Sequence, residues 1–361
     1  MTADSAVQSK ARQPATSRET WIDVAKGIAI LLVVSTHAGL FSRAIGAESS
    51  AWNAINAALY TLRMPMFFCL SGLLAYSALG RSWRSLFEKK ILLFVWLYLL
   101  WVVIRFAYFA VVPQVVNPDE SSSIIRLIAQ AVWSASDTWF LYALAVFFTF
   151  AKLMFRWAAW IPLVAAGLLS AASLSALIEL PSTLWNGLLG YFFFFLLGVY
   201  GGRLIRTWAK KPSAMVVGLS ITPAWIALTW LALANGAFDI FGVRFALSVV
   251  AVFAGIGVAL ALRKVTLLGN LGRNTLPIYL SHTLWIGGMA ALLNLMPNTV
   301  LTSMGGWLPA VLIAGSVAVA LFVHKAALSL GWNWLYAVPR WLGRAFRPQS
   351  ERSSIRPRAR A

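Results

Sequence analysis

Residues 91–112 read ILLFVWLYLLWVVIRFAYFAVV, a run of apolar and aromatic side chains interrupted by one charge, Arg105. As an α-helix this run is about 33 Å long, enough to cross a hydrocarbon layer of about 30 Å. Comparable runs lie over roughly 24–41, 52–79, 138–156, 159–178, 184–201, 213–234, 242–262, 275–296 and 307–329. In lipid only helices and closed barrels satisfy every backbone polar group, and runs of this length are helical. The expected fold class is therefore all-α: a polytopic transmembrane helix bundle of about ten spans.

Composition agrees. The 361 residues are 60% hydrophobic and 11% charged, with a mean hydropathy of +0.76. A soluble domain of that length has no means of hiding so much apolar surface. Residues 1–20 form a polar tail expected to be disordered, 21–330 the transmembrane domain, and 331–361 a basic tail. The run from Val24 to Phe41 makes a poor signal peptide: it follows a long polar tail, contains Lys26 and His37, and lacks a small-residue cleavage site. The longest connection, 113–136, carries a candidate surface helix over Ile124–Val132. Cys69 stands alone, which excludes an intrachain disulfide and any CxxC metal or redox motif, and no metal site is expected. The 18 tryptophans and nine tyrosines, many near span ends, suit interfacial belts.

Net charge is +19, and its distribution argues against nucleic acid. The tail, the even-numbered connections and the C-terminal end hold 25 of the 30 Lys and Arg residues, leaving Arg43, Arg63, Arg105, Arg126 and Arg244 elsewhere. The positive-inside rule then places both termini in the cytoplasm, N-in and C-in. Membrane lipids are natural partners, since the basic tail after Arg340 can hold anionic headgroups. Glu48, Asp119, Glu120, Asp137, Glu179 and Asp239 all fall on the opposite, outer side.

Polar groups that persist inside spans are functional candidates, because hydrocarbon penalises them. His37 in the first span, Arg105 in the third and His282 in the ninth are the main ones. An imidazole titrates near neutrality and can act as a general base. A histidine that merely bonds a neighbouring helix is the other reading of His37. His324, beside Lys325 at a span end, reads as interfacial.

Three segments bear on the choice: Arg18–His37 (RETWIDVAKGIAILLVVSTH), Met64–Gly72 (MPMFFCLSG) and Asn274–His282 (NTLPIYLSH). With the order of spans, they resemble the membrane-bound acyltransferase 3 family, which O-acylates sugars, polysaccharides and some antibiotics. Arg18, Asp23, Lys26, Gly27 and His37 occupy the places of the N-terminal motif, with Lys where Arg is commoner. Pro65, Phe67, Phe68, Ser71 and Gly72 match the second motif, and Asn274, Tyr279 and His282 the third. Trp139–Leu144 (WFLYAL) looks like the family's fourth span, without the Glu that many members carry further along it.

The resemblance implies a bacterial inner-membrane enzyme. It would take an acyl group, acetyl or succinyl, from acyl-CoA (acetyl-CoA or succinyl-CoA) as cytoplasmic co-substrate. The acceptor would be a carbohydrate hydroxyl of an exopolysaccharide or other surface polysaccharide, with the polysaccharide assembly machinery as a partner. Arg81-Ser-Trp-Arg84 reproduces the family's Arg-x-x-Arg element. With Lys89 and Lys90 it offers cations to the CoA phosphates, although basic clusters between spans also serve topology alone. His37 is expected as catalytic base. Arg105 and Arg63 are candidates for acceptor binding or oxyanion support, and Asp137, Asp239 and Trp139 for contact with sugar hydroxyls. His282, nearer the cytoplasmic end of its span, has a substrate-side or a packing role. Arg18, Asp23 and Lys26 would orient the start of the first span. The segment Gly269–Asn274 reads as a turn capped by Asn274 or Thr275. The competing classes are a polytopic transporter and an export component for a surface glycan. A transporter would be expected to show inverted repeats and intramembrane carboxylates, and neither is found in the sequence.

Overall fold

A computed structural model describes residues 19–119, 121–132 and 137–345, and the described residues hold helices and turns without strands. In chain order the helices are α1 (Thr20–Ala44), α2 (Ser50–Ala58), α3 (Tyr60–Leu79), α4 (Trp83–Leu86), α5 (Leu92–Phe109), α6 (Ile124–Val132), α7 (Trp139–Met154) and α8 (Trp160–Leu174). They continue with α9 (Thr183–Ala209), α10 (Pro212–Ala234), α11 (Val243–Ala261), α12 (Thr266–Arg273), α13 (Thr275–Leu293), α14 (Asn298–Met304), α15 (Leu308–Ser329) and α16 (Arg340–Ala345). A π-helical turn, Phe87–Ile91, joins α4 to α5. Counting Trp83–Phe109 as one, eight helices are long and apolar enough to cross a membrane, and α7 and α8 are shorter apolar helices. The chain is a multi-pass membrane protein.

Helix ends follow local chemistry. Ser49, Ser82 and Ser182 accept backbone N–H bonds at the starts of α2, α4 and α9, and Pro212 opens α10 where its missing N–H costs nothing. Two expectations are corrected. The run over 52–79 breaks at Leu59, so that only α3 is a span and α2 is a short cap above it. The segment Gly269–Asn274 is mostly helix α12 rather than a turn.

Helix α12 owes its place to glycine. A Cβ on Gly272 would lie 1.6 Å from the Asp23 carbonyl oxygen, and one on Gly27 would lie 2.1 Å from that of Leu268. With hydrogen in both places the backbones of α1 and α12 touch, in the way small residues let membrane helices approach. Gly72 and Gly198 perform the same service between α3 and α9, where added Cβ atoms would meet carbonyl oxygens at 1.9 and 2.0 Å.

Burial separates a centre from a rim. The apolar windows of α1, α3 and α13 are 61%, 72% and 67% buried, whereas those of α10 and α15 are 22% buried. The latter two turn most of their surface to lipid, and the polar cluster described next sits among the former.

Candidate active site

His37 lies on α1, about 21 Å along the helix from Asp23. Its Nε2 is 3.1 Å from Asp137 Oδ1. Its Nδ1 is 3.0 Å from the Val33 carbonyl and 3.2 Å from His282 Nε2. The two imidazoles meet edge to face at 4.9 Å. His282 was expected nearer the opposite end of its span. It reaches His37 because α12 fills the layer below, so that α13 starts deeper in the bundle.

Hydrogen-bond bookkeeping fixes the protons. His282 Nδ1 faces the carbonyl oxygens of Ile278 (3.1 Å) and Tyr279 (2.8 Å), which only accept, so Nδ1 donates. In neutral His282, Nε2 is then an acceptor, and His37 Nδ1–H donates to it. That leaves His37 Nε2 facing the Asp137 carboxylate, which only accepts, so a proton on Nε2 is donated to Asp137.

Asp137 holds that nitrogen. Its other oxygen, Oδ2, pairs with Arg105 Nη1 at 2.9 Å, and the same Nη1 donates to Thr283 Oγ1 at 2.7 Å. Arg105 is buried, and its guanidinium also lies 4.8 Å from the Phe109 ring centroid. Burial alone would disfavour the Asp137 carboxylate. The Arg105 guanidinium and then the His37 ring outweigh that penalty and hold the carboxyl well below the usual carboxylate range. The segment carrying Asp137 is pinned by Tyr279, whose hydroxyl donates to the Asp137 carbonyl and accepts from the Phe140 N–H at 3.3 Å. That N–H belongs to the first turn of α7 and has no helical partner of its own.

His37 also lines a cavity of about 500 Å³, together with Arg63, Trp139, Asn186, Tyr191 and Arg244. Glu179 and Asp239 line it as well and are exposed. Gly187 makes room for the Trp139 indole, since a Cβ there would come within 2.5 Å of the ring. The guanidinium groups of Arg63 and Arg244 stand 5.3 and 4.2 Å from the Tyr60 ring centroid.

The structure thus gathers His37, Asp137, Arg105 and His282 into one network and sets Arg63 and Trp139 on the adjoining cavity wall. Asp137, expected to face sugar hydroxyls, has both carboxylate oxygens committed to His37 and Arg105. Arg81, Arg84, Lys89 and Lys90 belong to a separate region. Along α3, Arg81 lies about 27 Å from Arg63. There Arg84 pairs with Glu88 at 2.8 Å, and Lys152 donates to the carbonyls of Leu79 and Arg81. Asp23 is buried at the start of α1 and Lys26 half-buried beside it; Arg18 lies outside the described residues. Sequence reasoning gave no role to Arg244, Tyr279 or Thr283. The signal for Arg244 was available: it is one of five cations off the basic side, and Arg63 and Arg105, two others, also reach this site.

The family model described as "Acyltransferase domain", acyltransferase 3, matches residues 19–325. Among curated proteins, the chain is similar to "Inner membrane protein YcfT" of Escherichia coli (strain K12), 27% identical over 295 residues, covering 74% of this chain and 80% of that protein. No solved structure matches.

Proposed function

The chain belongs to the acyltransferase 3 family, and from that premise we propose that it is an inner-membrane O-acyltransferase moving an acetyl or succinyl group from cytoplasmic acyl-CoA to a hydroxyl of a surface polysaccharide. The observation that carries the reading is His37 at the wall of a cavity, with Nδ1 held by His282 and Nε2 by Asp137. In a membrane helix a packing histidine needs one partner. This one has a partner at each ring nitrogen, and one of them is a carboxylate neutralised by a buried arginine.

The acceptor hydroxyl enters from the cavity and gives its proton to the lone pair of His37 Nε2 as its oxygen bonds the thioester carbonyl carbon, and the new Nε2–H is held by Asp137 Oδ1. The tetrahedral adduct then collapses, the C–S bond breaks, and the thiolate recovers the proton from the imidazolium. Asp137 orients the ring and balances the transient imidazolium by accepting from its Nε2–H, so that, unlike the carboxylate of a serine-hydrolase triad, it sits on the base nitrogen itself. Arg105 acts through Asp137 and is a positioning residue. His282 keeps Nδ1 occupied so that Nε2 is the active nitrogen.

Donor binding is assigned to Arg81, Arg84, Lys89 and Lys90, where several cations can grip the CoA phosphates. The distribution of charge supports a cytoplasmic position for that patch and both termini, and an outer position for the cavity. The acyl group therefore crosses most of the bundle before it meets the acceptor.

Deleting the gene and complementing with wild type or His37→Ala tests the reading. Acyl esters on the surface glycans, followed by NMR, should vanish on deletion, return with wild type and stay absent with His37→Ala at equal protein level. Esters restored by His37→Ala would overturn the catalytic assignment. Esters unchanged by the deletion would favour an export role or another acceptor.

A further inference from the structure

Among the described residues, Arg63 and Arg244 are sheltered arginines without a carboxylate partner, unlike the paired arginines of this protein and unlike its unpaired ones at the surface, such as Arg43 and Arg81. Arg105 is paired with Asp137, Arg84 with Glu88, Arg126 with Asp119 and Arg206 with Glu19. Among the described residues, neither Arg63 nor Arg244 forms an ion pair with a carboxylate. Arg63 is only 8% exposed. Arg244 is half-buried and spends one Nη1 donor on the Leu174 carbonyl at 3.2 Å. Both guanidinium groups face the Tyr60 ring and both line the cavity beside His37. Two like charges on one sheltered wall repel each other, and desolvation adds to the cost. A ring face offsets part of this. Glu179 and Asp239, the acids of the same cavity, are exposed at its rim and stay beyond ion-pair distance of both arginines. The wall is thus short of negative charge at the place where an acceptor would sit.

We infer that this cavity takes an acceptor sugar bearing an anionic group, a carboxylate or a phosphate, which Arg63 and Arg244 clamp while a neighbouring hydroxyl of the same sugar is presented to His37. Two planar forks of N–H donors suit oxygens of either anion. Trp139 and Tyr191 add aromatic lining, and about 500 Å³ lies within the range of small-ligand sites. A neutral sugar would leave both guanidiniums uncompensated and bind more weakly. The inference rests on the proposed acceptor role of the cavity and narrows it to acidic glycans.

The test measures binding to the purified full chain in lipid nanodiscs by calorimetry. The probes are a uronic-acid disaccharide, its carboxyl-reduced neutral counterpart and a phosphate-bearing sugar. At least one anionic probe should bind roughly ten- to hundredfold more tightly than the neutral one. That ratio should fall towards one in Arg63→Gln and in Arg244→Gln, and Arg244→Lys should keep part of it. If Arg63→Gln fails to fold, Arg244→Gln carries the test, being less buried. Equal affinity for charged and neutral probes, or a ratio that survives both substitutions, would overturn the inference. A third outcome would place the anion on the donor and overturn it too: succinyl transfer impaired by the variants, acetyl transfer to the same acceptor intact. His37→Ala should retain the binding ratio while losing ester formation, so failure of the anion clamp is distinguishable from failure of the acyltransferase reading.

Discussion

The two polar regions of this protein are built on opposite plans. Around His37 the side chains of His37, Asp137, Arg105 and His282 are each held by at least two partners, with donor–acceptor distances between 2.7 and 3.2 Å. Around Arg81 and Arg84 the cations stand largely in the open. The main side-chain bonds there run from Arg84 to its i+4 neighbour and from Lys152 to two backbone carbonyls. A locked arrangement is what a reaction at a defined atom requires, because small displacements of a base cost rate. A loose cationic surface is sufficient for phosphates or for topology, where charge matters more than position. The contrast fits the proposed division, with chemistry at the first region and donor recruitment at the second.

The sharpest attempt to break this contrast is Asp137→Asn. Acyl transfer, read as CoA release from membrane vesicles, should fall about 10²–10⁴-fold with KM for acyl-CoA little changed. A loss of under threefold would remove Asp137 from the mechanism. Next comes Arg105→Ala, which leaves a carboxylate buried beside His37. Such orphaned charges cost about 3–5 kcal/mol, and thermal melts in detergent should show it. The pH dependence of the same melts carries a definite sign. The Asp137 carboxyl is depressed in the folded protein, so its contribution is fully present above the ordinary value of about 3.9 and is lost as pH falls towards the lower folded value. Wild-type stability from this group should therefore be flat from pH 8 to 5, and in Arg105→Ala the acid loss should begin at a higher pH.

A smaller effect, about 1–3 kcal/mol, is expected of Gly272→Ala, whose methyl would strike the Asp23 carbonyl. Because α12 sets the depth of His282, the same change should lower kcat more than it raises KM. Smallest in stability is Arg84→Gln, within about 1 kcal/mol of wild type for an exposed ion pair. It should raise KM for acyl-CoA about tenfold. An unmoved KM would reduce the basic patch to a topological signal.

Sequence carried much of this picture because hydropathy and charge bias are local properties. Ten apolar runs are legible in that way, and the structure finds eight long apolar helices and two shorter ones close to those positions. His37, Arg105 and His282 were visible as polar groups where lipid forbids them without cause. What escaped depends on distant parts of the chain. That Asp137 addresses His37 rather than sugar follows from a loop pinned by Tyr279, more than a hundred residues away. Gly269–Asn274 read as a turn, whereas backbone contact of Gly272 with α1 makes most of it a helix. His282 was placed too far from His37 because residue counting along a span takes no account of a short helix folded beneath it.

The meeting of His37 with His282 joins residues 245 positions apart, and that separation bears on how the protein is made. At about 5–20 residues per second, roughly 12 to 50 s elapse between synthesis of the first histidine and of the second. During that interval the imidazole on α1 and, for part of it, the guanidinium of Arg105 must rest in or beside the membrane without their final neighbours. Newborn copies are thus most vulnerable before the ninth span arrives, and quality-control proteases would meet them in that state. A truncation ahead of α13 would leave a chain that inserts yet never closes its polar centre.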